Sequence, residues 1–166
     1  WAGGDTTLAP GGYAVVLVFF VQEEVGLRGG RTAAFAVDPH IGIAVDVGFS
    51  TDYPGMNEKI VGTANLGDGP ILHMGPTYSH KLLAIIRKTA TTAKIKTQVQ
   101  PESRGMGTDA YAIQMTRGGV AAGLISVPSR YMHSPIETIA LKDAEATAKL
   151  IAETIQGLSG RETFTR

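Results

Sequence analysis

Ala14-Val15-Val16-Leu17-Val18-Phe19-Phe20-Val21-Gln22-Glu23-Glu24-Val25-Gly26 is an unbroken apolar run that stops at two adjacent carboxylates. The Val, Leu and Phe content over residues 14–21 predicts a strand buried on both faces. The run is far too short to span a bilayer. It also lacks the charged start and small-residue cleavage site of a signal peptide. Burying even one uncompensated carboxylate costs several kcal/mol or forces protonation. A Glu23-Glu24 pair at a strand end is therefore unusual. In α/β sheets ligands sit beyond the carboxyl ends of strands, and Gly26, Gly29 and Gly30 let the backbone turn and approach closely. Neighbours in a regular strand point to opposite faces, so both glutamates serve one site only if the chain bends there. The competing reading is a solvated strand end with Arg28 and Arg31 as partners.

Outward from this stretch, β-branched runs alternate with helical patterns, which predicts an α/β fold with a mostly parallel or mixed sheet flanked by helices. Residues 1–12 are rich in Gly, Thr and Pro and read as an irregular lead-in to a domain over 13–166. Residues 29–36 suit a short helix and 41–47 a second buried strand. Residues 54–76 hold five glycines and read as loop with one short strand at most. Leu82, Leu83, Ile85, Ile86 and Ala90 predict an amphipathic helix over 77–93, started by Pro76 and Thr77. Residues 94–100 alternate like a strand, and 108–117 read as a helix closed by Gly118 and Gly119. Residues 120–127 form another buried strand, stopped by Pro128. The last helix spans about 143–156, with Ala144, Ala148, Ile151 and Ile155 on its buried stripe.

Composition narrows the function. The 15 Lys and Arg balance the 15 Asp and Glu, so no global field draws in nucleic acid or an anionic membrane. There is no cysteine, hence neither disulfides nor a thiolate metal site. A metal would have to be held by His, Asp and Glu. Together with the short apolar run, these features make a cytoplasmic protein the expectation.

Asp46 ends the apolar run Ile43-Ala44-Val45-Asp46-Val47. It is either a hydrogen-bonded turn residue or a hard oxygen ligand. His133, in Arg130-Tyr131-Met132-His133-Ser134, follows the strand ending at Val127. Imidazole is the commonest metal ligand, yet a single loop histidine is more often a surface residue. Asp109 in Gly107-Thr108-Asp109-Ala110 reads as a helix-start acceptor or a group in a neighbouring cleft. His40 in a turn and His80 in a first helical turn are bland. His73, in the glycine-rich loop, could line a pocket, but nothing singles it out. Glu, Asp and His at successive strand ends make a plausible zinc or cobalt site without cysteine.

The motifs from Val21 to Gly29, Ala44 to Val47, Pro54-Gly55, Leu66 to Pro70, Gly107 to Ala110 and Ser126 to Ser134 occur in a characteristic order. In that order and spacing the chain resembles the TET-type dinuclear metallo-aminopeptidases, a group of glutamyl and deblocking aminopeptidases with some endoglucanase-labelled members. The resemblance covers about residues 13–158, the C-terminal part of the catalytic domain. It implies Glu23 as general base, Glu24 and His133 as ligands of one metal and Asp46 as a ligand of the other. The implied activity is hydrolysis of N-terminal residues from peptides by a metal-activated water, with zinc or cobalt as cofactor and a homo-oligomer as the assembled form. Asp109 lies near the implied site without a direct role. In the family an N-terminal half supplies a further histidine, a bridging aspartate and a dimerisation insert. None of these has a counterpart here, and the context of Asp5 does not match the bridging aspartate. A truncated catalytic domain is therefore expected, with oligomerisation altered by loss of the insert. The alternative expectation is a catalytically impaired assembly or binding module that retains the scaffold. A site completed by another chain is a third possibility. A glycosidase is disfavoured, because the two glutamates are sequence neighbours rather than carboxylates flanking a sugar bond.

Overall fold

The computed structural model describes residues 4–8, 12–104 and 107–164. Its central five-stranded sheet has the order β3-β6-β4-β5, with β7 added to β6. The strands are β3 (Ile41–Phe49), β4 (Ile71–Met74), β5 (Gln98–Pro101), β6 (Ala121–Arg130) and β7 (Thr138–Ile139). β3 and β6 run parallel, as do β4 and β5, while β4 and β7 each lie antiparallel to β6. The sheet is thus mixed, as the alternation of strand and helix patterns predicts. Outside it, β1 (Gly4–Leu8) and β2 (Ala14–Val18) form a two-stranded antiparallel sheet.

Helices cover both faces. On one side lie α1 (Arg28–Val37) and α4 (Asp109–Gln114), and on the other α3 (His80–Thr92) and α5 (Leu141–Gly157). A short helix, α2 (Glu58–Val61), sits in the loop after β3. β6 is buried along nearly its whole length because both its faces are packed. Ala122 and Leu124 join Ala34, Ala44, Ala110 and Ile113 in the core under α1 and α4. Ile125 joins Leu72, Leu82, Ile86 and Leu150 under α3 and α5. The two-residue period of a strand then sets the facing of the positions beyond this core. Asp46 and Gly48 share the face of Ala44, and Ser126 shares the face of Leu124. The α1/α4 face therefore begins apolar and turns polar at the carboxyl ends of β3 and β6.

Several expectations are corrected. The lead-in over 1–12 contains a strand at Gly4–Leu8, because its backbone pairs in register with β2; residues 1–3 and 9–11 lie outside the described residues. β2 ends at Val18 and is not buried on both faces, since among the described residues it pairs with β1 alone and leaves Leu17 exposed. β3 is an edge strand, so Val45 and Val47 face solvent. The loop over 54–76 holds both α2 and β4, α3 begins at His80 capped by the Ser79 hydroxyl, and β5 is confined to Gln98–Pro101. β6 runs through Pro128, which lies between the stretches paired with β4 and with β7 and so removes no ladder bond on that side. In α5 the fully buried positions are Asp143, Thr147, Leu150 and Thr154, one residue off the predicted stripe. The reason is polar. Asp143 accepts the Gly67 and Gly69 N–H groups, and Thr147 donates back to the Asp143 carbonyl.

Candidate active site

The chain leaves β2 and bends sharply before α1. The Glu23 carbonyl accepts the N–H groups of Gly26 and Leu27, and the first N–H groups of α1, from Arg28 and Gly29, bond back to Gln22 and Val21. Gln22 and Leu27 both take the left-handed conformation, at φ 59° and 55°. Each such non-glycine residue costs on the order of 1–3 kcal/mol and persists where the surroundings over-determine it. This is the bend that two adjacent glutamates need if they are to serve one site. An open cleft of about 330 Å³ is lined here by Glu23, Glu24, Gly26, Leu27, Arg31 and Gly107.

His133 is delivered by a second strained turn, in which Tyr131 and His133 have φ 57° and 63°. The turn is pinned on three sides. Arg130 makes a two-pronged ion pair with Asp52, Tyr53 packs on Tyr131 at 4.6 Å, and Phe49 meets the His133 ring edge-on at 6.2 Å. The His133 N–H donates to Glu137 Oε1 at 2.5 Å. Its Nε2 comes within 3.6 Å of Glu24 Oε1. Two donors bound tetrahedrally to one divalent ion at roughly 2.0–2.2 Å stand about 3.4 Å apart. Glu24 and His133 fit that requirement as a pair. Among the described residues no group of three or more His, Asp or Glu converges into a closed metal site.

Asp46 stands at the carboxyl end of β3, half-buried, with Oδ1 accepting the Val47 N–H at 2.7 Å. Burial raises its carboxyl above the usual aspartate range, and Glu24 adds to this, while the Val47 N–H, His73 and His133 oppose it. Asp109 opens α4 and is buried against α1. A Cβ built on Gly30 would fall 2.3 Å from Asp109 Oδ1, so glycine is what lets the helix and the carboxylate meet. That oxygen is buried and has no hydrogen-bond partner among the described residues. Burial, then Asp46, pushes the Asp109 carboxyl up to about 6. Glu23 is pushed up to about 7, first by burial and then by Asp46, Asp109 and Glu24, with His133 acting against them. The structure thus gathers Glu23, Glu24, Asp46 and His133 at one end of the sheet, and adds Asp109. A carboxylate poised near neutrality beside unneutralised neighbours is the environment of a general base or of a cation site.

Nothing in the sequence singles out His73, yet it is buried on β4, with Nδ1 2.5 Å from Glu102 Oε1 and Nε2 2.8 Å from Ser126 Oγ. Tyr78 donates its hydroxyl to Glu102 Oε2 at 2.6 Å. The partners of His73 lie 29 and 53 residues away along the chain, so no local pattern could have marked it. Asp109 carried one usable signal, an acidic residue directly after Gly107-Thr108 at a helix start, but its burial follows only from Gly30.

The M42 glutamyl aminopeptidase family model matches residues 5–150. The lysyl aminopeptidase of Pyrococcus furiosus is 42% identical over 144 residues, covering 87% of this chain and 41% of that protein. Among solved structures, an aminopeptidase from the archaeon Desulfurococcus kamchatkensis superposes with a TM-score of 0.81 at 35% identity, over 87% of this chain and 42% of that one. The Pyrococcus horikoshii TET1 peptidase, which can assemble into a tetrahedron or a large octahedral shell, gives 0.68 at 30% identity, over 87% of this chain and 42% of its own. The chain therefore spans about two fifths of the length of these relatives, and within that span the family model, the sequence identity and the fold agree: it belongs to the M42 glutamyl aminopeptidase family.

Proposed function

We propose that this chain carries part of the active centre of a metal-dependent aminopeptidase, with Glu23 as general base. The observation that carries this reading is Glu23 itself, a partly buried carboxyl at about 7 and surrounded by Asp46, Asp109 and Glu24. A general base works best when its pKa lies near the operating pH. In the proposed reaction Glu23 takes a proton from the attacking water and passes it to the leaving amine of the peptide. Glu24 and His133 would hold one divalent ion and Asp46 a second. Such ions polarise the scissile carbonyl and lower the pKa of water. Zinc and cobalt both suit a donor set of imidazole and carboxylate. The substrate is the N-terminal residue of a peptide, and the assembled form is a homo-oligomer. Among the described residues no helix is long and apolar enough to cross a membrane.

Release of an N-terminal residue from a chromogenic amide, with zinc or cobalt added, tests the reading. Glu23→Gln is expected to lower kcat by about 10²–10⁴-fold while the melting temperature holds or rises. Turnover that is unchanged by this substitution would remove Glu23 from the reaction.

A further inference from the structure

The cleft at Glu23 and Glu24 continues into a second depression. A groove of about 380 Å³ lies between α1 and α4, with Arg31, Phe35, Tyr111, Met115 and Arg117 among its walls. Arg31 lines both spaces and joins them. The two helices run side by side away from the cleft. Gly30 near the start of α1 abuts Asp109 at the start of α4, while Arg117, beyond the end of α4, donates to the Phe35 carbonyl near the end of α1. Residues four apart on a helix share a face, so Arg31 and Phe35 form one wall and Tyr111 and Met115 the other.

The two arginines differ. At the far end Arg117 is committed: its guanidinium stacks on the Phe35 ring at 4.0 Å and pairs with Asp38 at 3.2 Å. Arg31 is exposed, and its guanidinium has no hydrogen bond or ion pair among the described residues. Among the described residues it is also the one basic side chain lining the cleft. Phe35 and Met115 are 58% and 63% exposed, so the groove sets an unpaired cation beside uncovered apolar surface. A guanidinium presents its donors in a fork that matches a carboxylate. The groove is therefore complementary to an extended peptide that carries a carboxylate next to an apolar side chain.

The proposed reaction fixes which part of a peptide this is. Glu23 hands its proton to the leaving amine, so the residues after the scissile bond start beside Glu23, in the cleft that Arg31 shares. A helix rises about 6 Å over four residues, and Arg31 to Phe35 thus spans about two residues of extended chain. We infer that Arg31 is a specificity-determining residue that binds a carboxylate on the leaving part of the peptide, with the α1–α4 groove holding the apolar residue beside it. That carboxylate is an acidic side chain or the C-terminus of a short peptide.

This inference takes its orientation from Glu23 acting as base, and the test separates the two ideas. Binding of C-terminally amidated Ala-Glu-Phe and Ala-Gln-Phe to the full, metal-free chain is measured by titration calorimetry. The glutamate peptide should bind about three- to fivefold tighter, the range open to an exposed ion pair. Arg31→Gln should abolish the preference and Arg31→Glu should turn it toward Ala-Lys-Phe, both with an unchanged melting temperature because the side chain has no partner to lose. Met115→Ser should weaken Ala-Glu-Phe more than Ala-Glu-Gly. The free acid Ala-Gln gaining the same factor over its amide, in an Arg31-dependent way, assigns the site to a chain terminus. Equal affinity for the glutamate and glutamine peptides, a preference that survives Arg31→Gln, or no binding at all overturns the inference and leaves Glu23 to be judged by its own substitution. Turnover unchanged by Glu23→Gln beside an Arg31-dependent preference removes the base and leaves the carboxylate site standing.

Discussion

Asp143 is buried more deeply than Asp109, and the Glu102 side chain is 7% exposed, yet these two carboxylates are treated differently from Asp109 and Glu23. Asp143 is 1% exposed and accepts N–H groups from Gly67 and Gly69 at 2.6 and 3.0 Å. Glu102 is held by His73 and Tyr78. Each is supplied with donors from its own surroundings. At the cleft, Asp109 keeps a buried oxygen with no partner among the described residues, and Glu23 faces three other carboxylates. Charged groups left unpaired at low dielectric cost several kcal/mol. The contrast supports the proposal that the cleft carboxylates serve a cation or a proton rather than the fold.

The comparison can be broken most severely at Asp143. Hydrogen bonds to charged groups contribute about 1.5–3 kcal/mol each, so Asp143→Ala should lower unfolding free energy by about 3 kcal/mol or more in urea titration. A loss below about 1 kcal/mol would mean that the Gly67–Gly69 loop does not depend on this cap. At the cleft a smaller effect is expected from Gly30→Ala, whose methyl would meet Asp109 Oδ1. Overpacking of this kind costs about 1–3 kcal/mol. The cost should largely vanish in Gly30→Ala/Asp109→Ala, and a double variant no more stable than Gly30→Ala would show that the clash is with backbone instead.

The smallest effect is read from pH. Glu23 and Asp109 have folded values of about 7 and about 6, raised from ordinary values of 4.5 and 3.8. Between about pH 4 and 7 the folded chain therefore holds protons that the unfolded chain has released, and stability falls as pH rises. Asp52 and Glu162, whose values are lowered, act in the opposite sense only below about pH 4.5, as pH falls. The melting temperature of metal-free protein should drop by about 2–6 °C from pH 5 to 7, and Asp109→Asn should flatten the slope. A melting temperature that climbs over this range would contradict the unpaired state of the cluster.

Much of the scaffold was legible because helix and strand periods are local. The pattern over 29–36 appears as α1, and that over 77–93 contains α3. The errors fall where a distant partner decides. Val45 and Val47 read as core because a β-branched run carries no mark of being at a sheet edge. The α5 stripe shifted by one residue because Asp143 answers to glycines more than seventy positions away. The lead-in hid a strand whose order comes from pairing with β2.

Residue type and spacing by themselves determined the α/β class, the family and the presence of two carboxylates, an aspartate and a histidine at strand ends. Only the tertiary structure decided that the chain bends at Gln22 and Leu27, that Glu24 and His133 stand 3.6 Å apart, and that Asp109 is buried under Gly30. It also decided that His73 is buried between Glu102 and Ser126. Periodicity reports which face a residue shares with its near neighbours. Burial, charge and proton direction depend on what the rest of the chain places against that face.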